Sequence, residues 1–588
     1  MKYNLNELQA NAPKASTWSS LGKLLKLISH ERANLWMALT AILVNSGLNL
    51  FGWYLIGKTL DKYLFTRHPD YHGLLVNCGY LLLMYGVAFF AAYFQTILMG
   101  GVGQRMLFTL RNSIFNKLQV LPVGFFNQNK AGDLISRINN DTDKVNQFFS
   151  QSLMQFIGSI STMLGAGIFL LSVNIRLGSA TLIPAFVILI FTWLTSAWVK
   201  RKNAKNLKSV GGLSAEIQES LNNFKVIIAF NRRDYFRRRF DGANKDNYAT
   251  AIGAGIANNS YVPVFGLFSS MAQLIVFAYG IYLISVNEFL PGMLITYFSY
   301  ATQFYNPLRQ LAALWTSFQT AMAAWDRIAH ILALDTDLLT LPSTSVDSST
   351  ALMEFRNVHF SYDESREILH NISFKLERGK TYALVGPTGG GKTTTASLIA
   401  RLYDASKGMV LLDGKDIRTY EALERTKKIG FILQEPFLFT GTVRENILYG
   451  NELYVNHTNE QLEQVILDAN LGTLLAIFDE GLDTKVISNS DGISLGQKQL
   501  IAFMRAVLRN PELLILDEAT ANIDTITEKL LSDILDKLPE TTTRVIIAHR
   551  LNTIENADEI YFVNSGEVIL AGSFDHALDM LLHGKRVS

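Results

Sequence analysis

The sequence predicts a multidomain chain of 588 residues. A six-helix α transmembrane domain occupies residues 1–340, a linker 341–350, and an α/β phosphate-binding domain 351–588. Three observations predict this. Six long windows in the first part carry almost no charge, a glycine-rich loop follows a β-branched run in the second, and an apolar run ending in two carboxylates lies about 120 residues further on.

The six windows are roughly Ala33–Gly57, Gly73–Met99, Ser152–Ile175, Leu177–Val199, Tyr261–Asn287 and Phe289–Leu308, with Glu288 between the last two. A hydrocarbon core of about 30 Å takes about 20 apolar helical residues to cross. One Lys, Arg or Asp at mid-span costs about 2.5–3.5 kcal/mol on insertion scales. Six such windows therefore favour spans over the competing soluble helical bundle. The second and third windows, and the fourth and fifth, are separated by long excursions, whereas the third and fourth nearly touch, as do the fifth and sixth.

Charge orients the helices. The excursions hold Arg105, Arg111, Lys117, Lys130, Arg137 and Lys144, then Lys200, Arg201, Lys202, Lys205, Lys208 and a second basic run at 232–239. The opposite loops have little beyond Lys58, Lys62, Arg67 and Arg176. The positive-inside bias puts the excursions in the cytoplasm, and an even number of spans puts both termini there too, in a multi-pass protein of the inner (cytoplasmic) membrane. Trp18–His30 alternates Leu with Lys at helical spacing, which suits a helix lying in the membrane interface. Asn45, Asn49, Asn77, Gln95, Gln155, Gln273 and Gln303 are expected to join helices to one another. Phe265, Phe268, Met271, Phe298 and Phe304 are placed either to line an apolar cavity or to face lipid.

Composition excludes several classes. With 49% hydrophobic and 18% charged residues the chain is not disordered. A single cysteine, Cys78, excludes a disulfide framework or a cysteine-held zinc or iron–sulfur centre. A net charge of +2 argues against nucleic acid as a partner.

In the second part, Thr381–Val385 reads as a strand that runs into Gly386, Pro387, Thr388, Gly389, Gly390, Gly391, Lys392, Thr393 and Thr394, the phosphate-loop pattern. Glycines let successive backbone N–H groups approach phosphate oxygens, and the helix that follows adds its positive end. Lys392 is spaced to reach the β- and γ-phosphates, and the Thr393 hydroxyl to ligate Mg²⁺. Leu513–Leu516 reads as a buried parallel strand delivering Asp517 and Glu518 at its carboxyl edge. Asp517 then binds Mg²⁺ and Glu518 is the base for a water attacking the γ-phosphate. Arg544–Ala548 is a further strand ending in His549, and Ser494 is an N-cap opening an apolar helix read as Gln499–Leu508.

As an ordered set these residues resemble the ATP-binding-cassette exporters, in the half-transporter layout of one membrane domain and one nucleotide-binding domain. The resemblance rests on GPTGGGKTT at Gly386–Thr394, ISLGQKQ at Ile493–Gln499, LLILDEAT at Leu513–Thr520 and His549, with Tyr362, Gln434, TVRENI at Thr442–Ile447 and Asp524. LPVGFF at Leu121–Phe126 with GDLISR at Gly132–Arg137 looks like the family's first intracellular loop, and Glu219–Phe230 like its second. The resemblance implies ATP and Mg²⁺ as cofactors, Tyr362 stacked on adenine, and Gln434 touching Mg²⁺ and the attacking water. His549 would contact the γ-phosphate. It also implies that Ser494, Gly496 and Gln497 grip the γ-phosphate of ATP held by an opposite cassette, with Asp524 at the seam. The expected activity is ATP-driven export of a small amphipathic or hydrophobic substrate across the bilayer. The alternatives are an ATP-gated channel or regulatory subunit, and an importer on the same scaffold. The family often has Gly-Glu-Arg-Gly where this chain has Ile487-Ser488-Asn489-Ser490, and Ser-Ala-Leu-Asp where it has Ala521-Asn522-Ile523-Asp524. Such departures resemble the catalytically competent half of heterodimeric multidrug-type members, so a second, different half-transporter is favoured as partner over a second copy.

Overall fold

The computed structural model describes residues 3–5, 22, 31–335, 338, 340–342, 351–363, 366–434, 436–487, 493–517, 525–547, 556–572 and 574–583. The chain forms two compact units, one of Ala12–Leu118 and Gly132–Ala333, the other of Met1–Asn11, Gln119–Ala131 and Leu334–Ser588.

The described residues of the first unit form helices joined by short turns. Its long helices are α1 (Arg32–Thr59), α2 (Tyr71–Gln119), α3 (Leu153–Val173), α4 (Ile175–Asn222), α5 (Arg233–Asn259), α6 (Tyr261–Ser285) and α7 (Pro291–Leu332). At 1.5 Å per residue the 49 residues of α2 span about 74 Å, so one helix serves as both span and excursion. Among the described residues five stretches are long and apolar enough to cross a membrane: Arg32–Leu64, Tyr71–Gln119, Ala131–Val173, Ile175–Asn222 and Arg233–Ser285. The sixth sequence window opens α7, where Thr296, Ser299, Thr302, Gln303 and Asn306 interrupt the apolar run. The amphipathic segment Trp18–His30 lies outside the described residues, apart from Gly22.

Buried hydroxyls show how these helices are joined. In hydrocarbon a polar group must find its partner inside the protein. Tyr297 of α7 donates to the carbonyl of Asn174 at 2.7 Å, Tyr300 to Leu50 of α1 at 3.0 Å, and Tyr305 to Thr181 of α4 at 2.7 Å. Tyr297 and Tyr300 pack among Leu50, Leu170, Leu177 and Val276, and Tyr305 among Ala185, Ile188 and Phe265, all buried. Gln273 of α6 donates to the Thr302 hydroxyl at 3.1 Å, the interhelical use expected of a membrane amide. Asn49 and Asn77 bond carbonyls one turn back in their own helices instead. Asn174 caps α4 by accepting from the N–H groups of Arg176 and Leu177. Arg176 and Glu288 approach to 3.9 Å, so the two short turns lie at one end of the unit.

The second unit is α/β. Its strands are β1 (Met353–Phe360), β2 (Leu369–Leu376), β3 (Thr381–Val385), β4 (Lys407–Leu412), β5 (Lys415–Asp416), β6 (Ile429–Ile432), β7 (Gly441–Thr442), β8 (Lys485–Val486), β9 (Leu513–Asp517), β10 (Thr543–Ile547), β11 (Glu559–Asn564) and β12 (Glu567–Leu570). A six-stranded sheet runs β12-β11-β3-β10-β9-β6, and a four-stranded sheet runs β2-β1-β4-β5. The central pairs β11–β3, β3–β10, β10–β9 and β9–β6 are all parallel. Such strands are covered on both faces and read as unbroken apolar runs. Alternate residues therefore enter different cores. Tyr382, Leu384, Leu513 and Ile515 pack towards β1 and β2, whereas Ala383, Val385, Leu514 and Leu516 pack towards the helical side. Each of those leucines and valines contributes about 1.5–3 kcal/mol by leaving water.

Candidate functional site

A parallel sheet delivers its loops at the carboxyl ends of its strands. β3 and β9 flank β10, so the loop after Val385 and the residue ending β9 lie at one edge. Two glycines show why this loop needs its composition. Gly386 has φ +145° and Gly389 φ +82°, both in the region that side chains avoid. A Cβ on Gly386 would also run into the carbonyl oxygen of Val563. Gly391, the N-cap of α8 (Lys392–Ile399), opens that helix, whose start carries the unpaired N–H groups of its first turn.

Lys392 is buried, and its ammonium donates to the carbonyls of Gly386 at 2.8 Å and Pro387 at 3.0 Å. The cation thus sits inside the loop it follows, beside the convergent N–H groups. The Thr393 hydroxyl donates to Asp517 Oδ1 at 3.3 Å, across 124 positions of sequence. Asp517 is buried at the last position of β9. A hydroxyl and a carboxylate oxygen side by side are hard donors of the kind Mg²⁺ prefers, so these residues fit that ion. Among the described residues no group of three or more His, Cys, Asp or Glu converges as a metal cage.

Tyr362 stands on the other side of the loop. Its hydroxyl lies 3.0 Å from that of Thr394, and its ring meets Tyr403 edge-on at 5.1 Å and Phe360 at 4.8 Å. Burial raises its phenol above the ordinary tyrosine range. Gln434 follows β6 with its residue exposed. Ser494 is the N-cap of α9 (Leu495–Val507). Its hydroxyl accepts from the N–H of Gln497 at 3.1 Å, while the Gln497 carboxamide accepts from the N–H of Ser494 at 2.9 Å. This reciprocal cap starts the helix four residues before the position read from apolar periodicity, since Gly496 and Gln497 lie in its first turn. Glu518, Asp524 and His549 lie outside the described residues.

The geometry thus joins Tyr362, Gly386–Thr394 and Asp517 in one site. Comparison with known proteins shows the family to which these two domains belong. Residues 35–308 match the ABC transporter transmembrane region and residues 369–521 the ABC transporter family. An uncharacterized ABC transporter ATP-binding protein of Bacillus subtilis is 32% identical over 573 residues, covering 96% of this chain and 93% of the relative. The chain belongs to the ABC transporter family. A putative multidrug export ATP-binding/permease protein of Bacillus subtilis is 32% identical over 505 residues, 85% of each chain. An ATP-dependent lipid A-core flippase of Vibrio vulnificus is 28% identical over 577 residues, 96% of each.

This ABC transporter therefore couples ATP hydrolysis to transport, with a helical transmembrane domain followed by its nucleotide-binding domain. Exporters of this family work as dimers in the membrane. Features the sequence did not signal also border the site. Tyr403 buttresses Tyr362, and a polar cavity of about 400 Å³ beside Pro387–Gly390 is lined by Arg366, His370 and Asn564–Gly566. Neither follows from local pattern, because both join segments far apart in sequence.

Proposed function

We propose that this chain is one half of a dimeric exporter moving amphipathic or hydrophobic molecules (drug-, lipid- or peptide-like) outward across the cytoplasmic membrane by alternating access. The observation that carries the substrate class is a cavity of about 560 Å³ in the membrane unit, lined by Trp53, Val276, Phe277, Leu294, Phe298 and Gln303. Its wall is mainly aliphatic and aromatic, with Ser299, Thr302 and Gln303 as uncharged polar members, and it offers no charge, so hydrocarbon enters it more readily than ions. Of the five side chains marked from sequence, Phe298 lines it. Phe265 is instead buried in the helix core and Met271 is exposed. The multidrug and lipid substrates in the relatives' names fit the same class.

In this reading Lys392 and the N–H groups of Thr388, Gly389, Gly390 and Gly391 hold the ATP phosphates, Gly386 and Pro387 shape the start of that loop, and Tyr362 stacks on adenine. Thr393, Asp517 and Gln434 would hold Mg²⁺, which supplies charge neutralisation at the β- and γ-phosphates. Glu518 takes the proton of the attacking water, and Gln434 and His549 orient it. Ser494, Gly496 and Gln497 grip the nucleotide of the opposite cassette, with Asp524 at the seam. ATP held between facing surfaces binds the closed pair better than the open pair, and that difference in affinity is what moves the equilibrium. The basic excursions put both termini and the cassette in the cytoplasm. The departures at 487–490 and 521–524 favour a different half-transporter as partner, which co-purification from the native source tests directly.

Uptake by inside-out vesicles tests the reading, with a phospholipid bearing a fluorescent acyl chain as probe. ATP-dependent accumulation inside is expected. Loss of probe from the vesicles, or equilibration without ATP, contradicts export.

A further inference from the structure

The second unit contains a clasp that no family feature described above requires. The peptide Tyr3–Leu5 lies against the short helix Val123–Gln128, about 125 positions away in sequence. Its main chain is held by side-chain amides. Tyr3 N–H donates to Gln128 Oε1 at 2.7 Å and Leu5 N–H to Asn129 Oδ1 at 3.1 Å. Asn129 Nδ2 in turn donates to the Tyr3 carbonyl at 2.8 Å and to that of Phe125 at 2.8 Å. One carboxamide thus offers the donor and acceptor that a neighbouring peptide group would, while also closing the last turn of the helix. The side chains are committed as well. Tyr3 and Leu5 are buried, and the Tyr3 ring meets the fully buried Phe125 edge-on at 6.4 Å.

The other face of the helix touches the cassette next to its nucleotide site. Asn127 Nδ2 donates to the Tyr403 hydroxyl at 2.7 Å, and a Cβ on Gly124 would lie 3.3 Å from the Tyr403 ring. Tyr403 braces Tyr362 edge-on, and Tyr362 reaches Thr394. A continuous line of contacts therefore runs from Tyr3 through Phe125, Asn127, Tyr403 and Tyr362 to the phosphate loop.

We propose that Tyr3 and Asn129 are positioning residues for nucleotide binding. They clasp the helix Val123–Gln128 so that Asn127 holds Tyr403 against Tyr362. The inference rests on Tyr362 stacking on adenine. Its consequence is specific: loosening the clasp frees the ring that receives the base, so the affinity for ATP falls while the chemical step is untouched.

The test uses the full-length transporter in lipid nanodiscs, with ATP as the probe. Tyr3→Ala and Asn129→Ala each raise KM for ATP about fivefold with kcat little changed, a fraction of what a base–aromatic stack is worth. Tyr3→Phe, which keeps the buried ring, behaves as the unaltered protein. Amide hydrogen exchange at Phe125–Gln128 speeds up roughly tenfold in Asn129→Ala, as lost hydrogen bonds predict. A partner already lost cannot be lost twice, so Asn129→Ala combined with Tyr362→Ala shows no higher KM than Tyr362→Ala alone. The single Tyr362→Ala variant separates the two ideas. An unaltered KM there removes the stacking role and the inference with it. A raised KM there, beside unaltered KM in Tyr3→Ala and Asn129→Ala, overturns the clasp alone. A fall in kcat at constant KM also overturns it, because that is the signature of lost folded protein, and so does unchanged exchange at 125–128, because the helix is then not held by Asn129.

Discussion

The hydroxyl of Thr393 stands 3.3 Å from the carboxylate of Asp517, which joins the first turn after the phosphate loop to the last residue of a buried strand. Two parallel strands with β10 between them bring these oxygens together. If the pair holds Mg²⁺, Asp517→Asn lowers ATP hydrolysis at least about 100-fold, the usual cost of one electrostatic partner of a transition state. Phosphate release measured against Mg²⁺ concentration checks this, and chelating the ion abolishes the activity of the unaltered protein.

Lys392 rests on two carbonyls of its own loop, so its charge is already placed where phosphate arrives. Lys392→Ala removes that charge and is expected to cost about 10²–10³ in kcat/KM. Steady-state hydrolysis of ATP measures it.

Gly386 combines φ +145° with a close approach to the Val563 carbonyl. Gly386→Ala is therefore expected to destabilise the cassette by about 1–3 kcal/mol. Thermal unfolding of the purified transporter shows the effect as a lower first transition.

Asp141 in the membrane unit is almost fully buried and is held by Arg327, whose Nε donates to it at 2.7 Å, with Lys144 at 3.4 Å. Arg327→Ala leaves the buried carboxylate only its longer contact with Lys144, at a cost of up to about 3–5 kcal/mol. Arg327→Leu together with Asp141→Leu removes both charges and is expected to cost less than the single change. Melting in detergent compares the two variants.

Much of this was legible in the sequence, for identifiable reasons. Thr381–Val385 and Leu513–Asp517 announce themselves because strands buried on both faces tolerate no polar residue, and Gly386–Thr394 because backbone approach to phosphate needs glycine. The membrane helices declare themselves by lacking charge. What stayed hidden depends on neighbours remote in the chain. Asp61 lies in a one-turn π-helix, Leu60–Leu64, where it accepts from the N–H groups of Gly292 at 2.5 Å and Met293 at 3.0 Å and so caps α7. No local pattern signals such a turn. The cavity wall was half seen: Phe298 stood out, but Trp53 and Phe277 join it only through helix packing. The N-cap of α9 was legible in Ser494, whereas apolar periodicity alone begins only at Gln499, because periodicity registers buried positions and Ser494 and Gln497 fix the helix end through exposed hydrogen bonds.

The most direct measurement follows ATP hydrolysis and probe uptake side by side in the same inside-out vesicles, for the unaltered transporter and for Glu518→Gln. Loss of a general base lowers hydrolysis about 10²–10⁴-fold. If turnover of ATP drives the movement, uptake falls in proportion while ATP still binds. Uptake that continues at its original rate in Glu518→Gln contradicts the account, because the passage would then work without the reaction said to power it.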